Sequence, residues 1–79
     1  MARVRYFAAA AEAAGRSDET VDAATLGELR EALVAAHGAA FDRVLARCSV
    51  LVDGQNCDAA ETPLGDATRV DVLPPFAGG

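Results

Sequence analysis

Reactive side chains are scarce in this sequence. His37 is the only imidazole, Cys48 and Cys57 are the only thiols, and Ser17 and Ser49 are the only serines. No nucleophile has a base paired with it, as covalent catalysis requires. All seven basic residues are Arg, which removes Schiff-base chemistry and the phosphate-binding lysine of a P-loop. Two cysteines fall short of an iron–sulfur or a structural zinc site. The group with most chemical promise is the α-carboxylate at the end of Pro74-Pro75-Phe76-Ala77-Gly78-Gly79. Paired prolines stop a strand and favour an extended spacer. Gly78 and Gly79 add no side chains, so the tip is slim enough to thread a narrow channel in another protein. An ionised α-carboxylate, with a pKa of about 3.5, is a poor acyl electrophile and must be activated before it reacts.

The elements that position this tip are readable from periodicity. Residues 3–7 alternate as a strand, with Val4 and Tyr6 on one face and Arg3, Arg5 and Phe7 on the other. Residues 8–14 are nearly all alanine and read as a short helix that ends at Gly15. Residues 20–23 read as a weak second strand. Thr25 and Glu28 have capping-box spacing, and the helix they open carries Leu26, Leu29, Leu33 and Ala36 as its apolar stripe. His37 falls in its last turn, where an imidazolium meets the negative end of the helix dipole. Residues 41–46 read as a short helical or irregular stretch. Residues 49–52 form the strongest strand, Asp53-Gly54 signals a hairpin, and residues 55–57 are the short return. Residues 69–73 are the last strand, with Val70 and Val72 inward and Arg69, Asp71 and Leu73 outward. This order predicts an α+β roll: a mixed sheet of about five strands around one main helix, first and last strands central.

Composition bounds what such a domain encloses. Alanine supplies 19 of the 41 apolar residues, so 22 larger ones remain among 79 residues. That fills one small core and leaves no deep pocket. The net charge of -5 with scattered Arg argues against nucleic acid and against an anionic membrane surface. The opening residues lack an apolar leader, so we expect a cytoplasmic protein with reduced thiols.

Several segments together resemble one family. These are residues 4–8 with Glu12 and Gly15, residues 52–54, Pro63-Leu64 with Asp66, and above all residues 70–79, which run from the last strand through Pro74-Pro75 to Gly78-Gly79. The chain resembles the β-grasp, ubiquitin-like sulfur carriers of the MoaD/ThiS family, and within it the branch of molybdopterin synthase small subunits. The resemblance implies a β-grasp domain over residues 1–73 and an extended tail over 74–79. It implies that Gly79 is adenylated and then converted to a thiocarboxylate, and that Gly78, Ala77, Phe76, Pro75 and Pro74 thread a partner's active site. Implied partners are the large subunit of molybdopterin synthase, a ubiquitin-activating-like adenylyltransferase that uses ATP, and a persulfide sulfur donor. The implied product is the pterin dithiolene that holds molybdenum. No stably bound cofactor or metal is implied, and the catalytic acids and bases belong to the partners. The family's apolar partner patch carries over by position to Phe7, Cys57 and Leu73. Two other readings stay open: a sulfur carrier for thiamine, cysteine or tRNA thiolation, and a ubiquitin-like interaction module without catalysis.

Overall fold

The computed structural model describes residues 1–75, so Phe76, Ala77, Gly78 and Gly79 lie outside the described residues. In chain order the elements are β1 (Ala2–Tyr6), α1 (Ala9–Ala14), β2 (Asp18–Val21), α2 (Leu26–His37), α3 (Ala39–Arg47), β3 (Ser49–Val52), β4 (Gln55–Asn56) and β5 (Arg69–Leu73). They form one mixed sheet in the order β2-β1-β5-β3-β4. Strand β5 is central, parallel to β1 and antiparallel to β3. The central placement of first and last strands reflects their apolar inner positions: Val4 and Val70 are 0% exposed and Val72 is 1% exposed. A parallel pair needs a long crossover, and here everything between β1 and β5 supplies it.

The helices cover one face of the sheet. Leu26, Leu29 and Leu33 of α2 and Phe41 and Leu45 of α3 close over Val4, Tyr6, Val50, Val70 and Val72. Helix α2 begins as its spacing predicts: Thr25 Oγ1 accepts the Glu28 amide at 3.2 Å. Glu28 reaches back one residue further than expected, and its Oε1 accepts the Ala24 amide at 3.1 Å. The stripe of α2 does not pass through Ala36, which is exposed. It continues from Leu33 to His37, four residues on, so the imidazole completes the inward face.

Of the two readings for residues 41–46 the helical one holds, in a longer helix α3 over Ala39–Arg47, so α2 and α3 both pack on the sheet beside the short α1. Two strand boundaries are corrected. The second strand is Asp18–Val21 rather than residues 20–23, because pairing with β1 sets Val21 opposite Ala2 and Asp18 opposite Arg5. It is an edge strand, and its charged residues suit an edge that faces solvent. Strand β4 ends at Asn56, one residue short of the expected return. The hairpin between β3 and β4 does form as Asp53-Gly54 predicts, with φ of 49° and 86° at the two positions. Positive φ at both residues is the requirement of the tight type I′ turn.

Candidate functional site

The sheet's uncovered face is built by alternation. Arg3 and Arg5 point away from the core along β1, while Val4 and Tyr6 point into it. The parallel register sets Arg5 opposite Asp71 and Tyr6 opposite Val72. Continuing it by one residue brings Phe7 beside Leu73, and the Phe7 amide donates to the Val72 carbonyl at 3.1 Å. Phe7 is 37% exposed and Leu73 is partly exposed. The two residues that alternation leaves on a polar face therefore sit together, at the end of the sheet where β5 runs into Pro74 and Pro75. Pro74 is buried and Pro75 is exposed.

The next row across the same face is an ion pair. Arg5 Nε lies 2.9 Å from Asp71 Oδ1, and a second guanidinium nitrogen lies 3.3 Å from Oδ2. The two-pronged contact fixes the guanidinium plane. Its carbon also stands 5.4 Å from the Phe7 ring centroid, a cation–π approach that orients the ring. Arg3 pairs with Asp18 at 3.4 Å on the neighbouring edge. The apolar corner thus has a charged border.

Cys57 does not join this corner. Register pairs Val52 with Gln55 and Leu51 with Asn56. The Cys57 amide then donates to the Val50 carbonyl at 2.9 Å, and the side chain packs toward the core with Sγ 3.0 Å from Thr62 Oγ1. Leu51 stands in the outward position instead, opposite both Asp71 and Asn56 and partly exposed. The sequence carries the signal for this, since Ser49-Val50-Leu51-Val52 alternates faces and Val50 is the buried member. Cys48 is also half-buried, with its thiol donating to the Val44 carbonyl at 3.1 Å. Burial pushes that thiol's pKa up, which keeps it protonated and a poor nucleophile.

His37 has a partner that no local spacing shows. Its Nε2 lies 2.6 Å from Glu19 Oε2, and the same oxygen accepts the Tyr6 hydroxyl at 2.5 Å. The ring also packs against Phe41 and Tyr6, with centroids 5.1 and 6.1 Å away. His37 does fall in the last turn of α2, as expected, and to that position it adds a side-chain network that ties α2 to β1 and β2. Every polar contact in it is internal, so it is built to hold the fold together.

The described residues thus form a small domain with an apolar corner at the point where β5 runs into Pro74 and Pro75. The ThiS family model matches residues 4–79. The chain belongs to the ThiS family. Among solved structures, this ThiS-family chain is similar to SAMP1 from Haloferax volcanii, with 31% identity, a TM-score of 0.82, and coverage of 99% of this chain and 98% of that one. It is similar to a chain in the complex of subunits 1 and 2 of molybdopterin-converting factor from Helicobacter pylori, with 27% identity, a TM-score of 0.77, and coverage of 99% and 97%. A chain of the BexX/CysO complex from Amycolatopsis orientalis shares the fold at 18% identity, a TM-score of 0.81, and full coverage of both chains. No curated protein is similar enough to count as a match. The fold is the β-grasp, of the MoaD/ThiS sulfur-carrier type. No helix of the described residues is long and apolar enough to cross a membrane.

Proposed function

We propose that this ThiS-family chain carries sulfur on Gly79 and delivers it to a pterin precursor during molybdopterin formation. One observation carries the reading: an apolar corner, Phe7 and Leu73, lies beside the point where β5 gives way to the Pro74-Pro75 spacer. A partner seated on that corner is placed to receive the residues beyond the prolines. The likeness to molybdopterin-converting factor subunit 1, solved with its subunit 2, supports the choice of pathway.

The chemistry runs through partners. With Gly79 as the terminus, its carboxylate oxygen attacks the α-phosphorus of ATP on an adenylyltransferase and pyrophosphate leaves. The terminal sulfur of a persulfide donor then attacks the acyl carbon and AMP leaves. A second thiol of the donor cleaves the sulfur–sulfur bond, which oxidises the donor to a disulfide and frees the thiocarboxylate. In the large synthase subunit that sulfur attacks a carbon of the pterin precursor and displaces an oxygen leaving group; water then cleaves the resulting thioester, which leaves the sulfur on the precursor as a thiol and returns Gly79 as a carboxylate. The chain's own residues bind and orient: Phe7 and Leu73 dock, the fixed φ of Pro74 and Pro75 stiffens the root of the tail, and Ala77, Gly78 and Gly79 bring little or no side-chain bulk to it. In this reading the chain needs no cofactor of its own, and the reaction takes place in the cytoplasm, where Cys48 and Cys57, both free thiols, stay reduced.

The test is the intact mass after incubation with adenylyltransferase, ATP and persulfide donor. A gain equal to exchanging one oxygen for sulfur is expected, and deleting Gly79 should abolish it without changing the circular dichroism spectrum. No adduct on the full chain sinks the reading. Likeness to SAMP1, a small archaeal modifier protein, favours a second one, in which the activated tail is joined to other proteins. Higher-mass conjugates, in place of pterin sulfuration with the large subunit, would select it.

A further inference from the structure

The tail root has a second side. Opposite the Phe7–Leu73 corner, Pro74 and Pro75 meet α3 and the start of α1, and a groove of about 280 Å³ lies between them, lined by Ala9, Val44, Arg47, Pro74 and Pro75. It adjoins a second groove along α3 of about 490 Å³, which shares Val44 and Arg47 and adds Arg43. The floor is apolar and the rim is basic. Arg43 and Arg47 are exposed and one helical turn apart, so they share a face. Neither has a carboxylate partner among the described residues, whereas Arg3, Arg5 and Arg16 are each paired. In a chain of net charge -5, two guanidiniums with no ion-pair partner among the described residues, set over an apolar floor, form a local positive site.

We propose that this groove docks an extended acidic segment of the enzyme that first acts on the tail. The spacing sets the form of that segment. Four residues along a helix rise about 6 Å, and alternate residues of an extended strand stand about 6.6 Å apart. Two carboxylates at alternate positions therefore meet Arg43 and Arg47 together, and an apolar side chain beyond them seats against Val44 and Pro74. Charge complementarity speeds the encounter and rejects basic competitors. With the Phe7–Leu73 corner held on the other side, the tail root is gripped on both flanks and its direction is fixed. The inference rests on the reading that an enzyme acts on the tail, but the groove is testable without that enzyme.

The full chain, labelled with ¹⁵N, is titrated with a blocked peptide bearing glutamates at alternate positions followed by leucine, and with the same peptide bearing glutamines. Amide shifts at Arg43, Val44, Arg47 and Ala9 should saturate with the acidic peptide alone and weaken as salt rises. The Arg43→Ala/Arg47→Ala variant, still folded by circular dichroism, should bind about tenfold more weakly. Absence of saturation, equal binding of the glutamine peptide, or shifts centred on Arg3, Arg5 and Arg69 would overturn the proposal. In the adenylation assay the same variant should raise the KM for the carrier about tenfold with kcat unchanged. An unchanged KM sinks the groove while the carrier function stands. A wild-type chain that is never adenylated sinks the carrier function, and the peptide titration then decides the groove alone.

Discussion

Tyr6 and His37 meet on a single oxygen of Glu19, one from β1 and one from the end of α2. The carboxylate accepts both, so the imidazole Nε2 carries a hydrogen toward it. Burial by itself would push the Glu19 carboxyl up. The hydrogen bonds from Tyr6 and His37, with the nearby charges of His37 and Arg16, outweigh that and hold it below its ordinary value of 4.5. Burial and the same carboxylate push the Tyr6 hydroxyl far above its ordinary range, so it stays a donor at any working pH.

The direction of the Glu19 shift sets a pH dependence. A carboxyl whose folded pKa is depressed adds stability above its unfolded pKa and loses it as pH falls through the folded value. Urea melts of the wild type should therefore lose stability progressively below about pH 4.5. Glu19→Gln keeps an acceptor but cannot titrate, so it should start less stable at neutral pH and lose less on acidification. Parallel acid profiles for the two proteins would show that Glu19 is not a titrating support of the fold.

Much of this fold is legible in the sequence, and the parts that are not share a cause. Strands β1, β3 and β5, the Asp53-Gly54 turn and the Thr25 cap are written in local alternation, turn chemistry and spacing. Helix α3 is harder to read because no side chain caps its start and only Phe41 and Leu45 mark its buried face. Strand β2 is polar, and its position is set by its neighbour β1 rather than by propensity. The partner of His37 lies 18 residues away, a contact that no periodicity encodes. Of the apolar corner, Phe7 and Leu73 are legible because alternation leaves them on a wet face. Cys57 is misplaced when it is carried over by position alone, since hairpin register turns it toward Val50.

Phe41 shows how much the small core depends on α3. It is 0% exposed and packs edge-on to Tyr6 at 5.7 Å and against His37 at 5.1 Å. Phe41→Ala removes the largest fully buried side chain among the described residues and leaves a cavity, because a close-packed core relaxes only partly around a deletion. The expected cost is about 3–5 kcal/mol, comparable to the whole stability of a domain this size. Circular dichroism should show a chain partly unfolded at room temperature. A cooperative melt within a few degrees of wild type would mean that α3 contributes little to the core.

The outward face separates partner binding from folding. Phe7, Leu51 and Leu73 are partly exposed on it, and none belongs to the buried core. Replacing an apolar residue there with aspartate costs the fold little but puts an unpaired charge into any interface formed on the patch. On the proposed carrier function, Leu73→Asp and Leu51→Asp should each weaken capture by the large synthase subunit by about 2 kcal/mol, as truncation of a central contact does. Melting temperatures should stay near wild type. Cys57→Ser supplies the contrast. Its side chain packs inward against the core and Thr62, so the change should lower stability and leave capture intact. The opposite pattern, with Cys57→Ser abolishing capture and Leu51→Asp leaving it unchanged, would move the interface off this face and toward the β4 edge. Titration calorimetry on the four proteins distinguishes the two arrangements, because the corner built by Phe7 and Leu73 predicts loss only for residues whose register turns them outward.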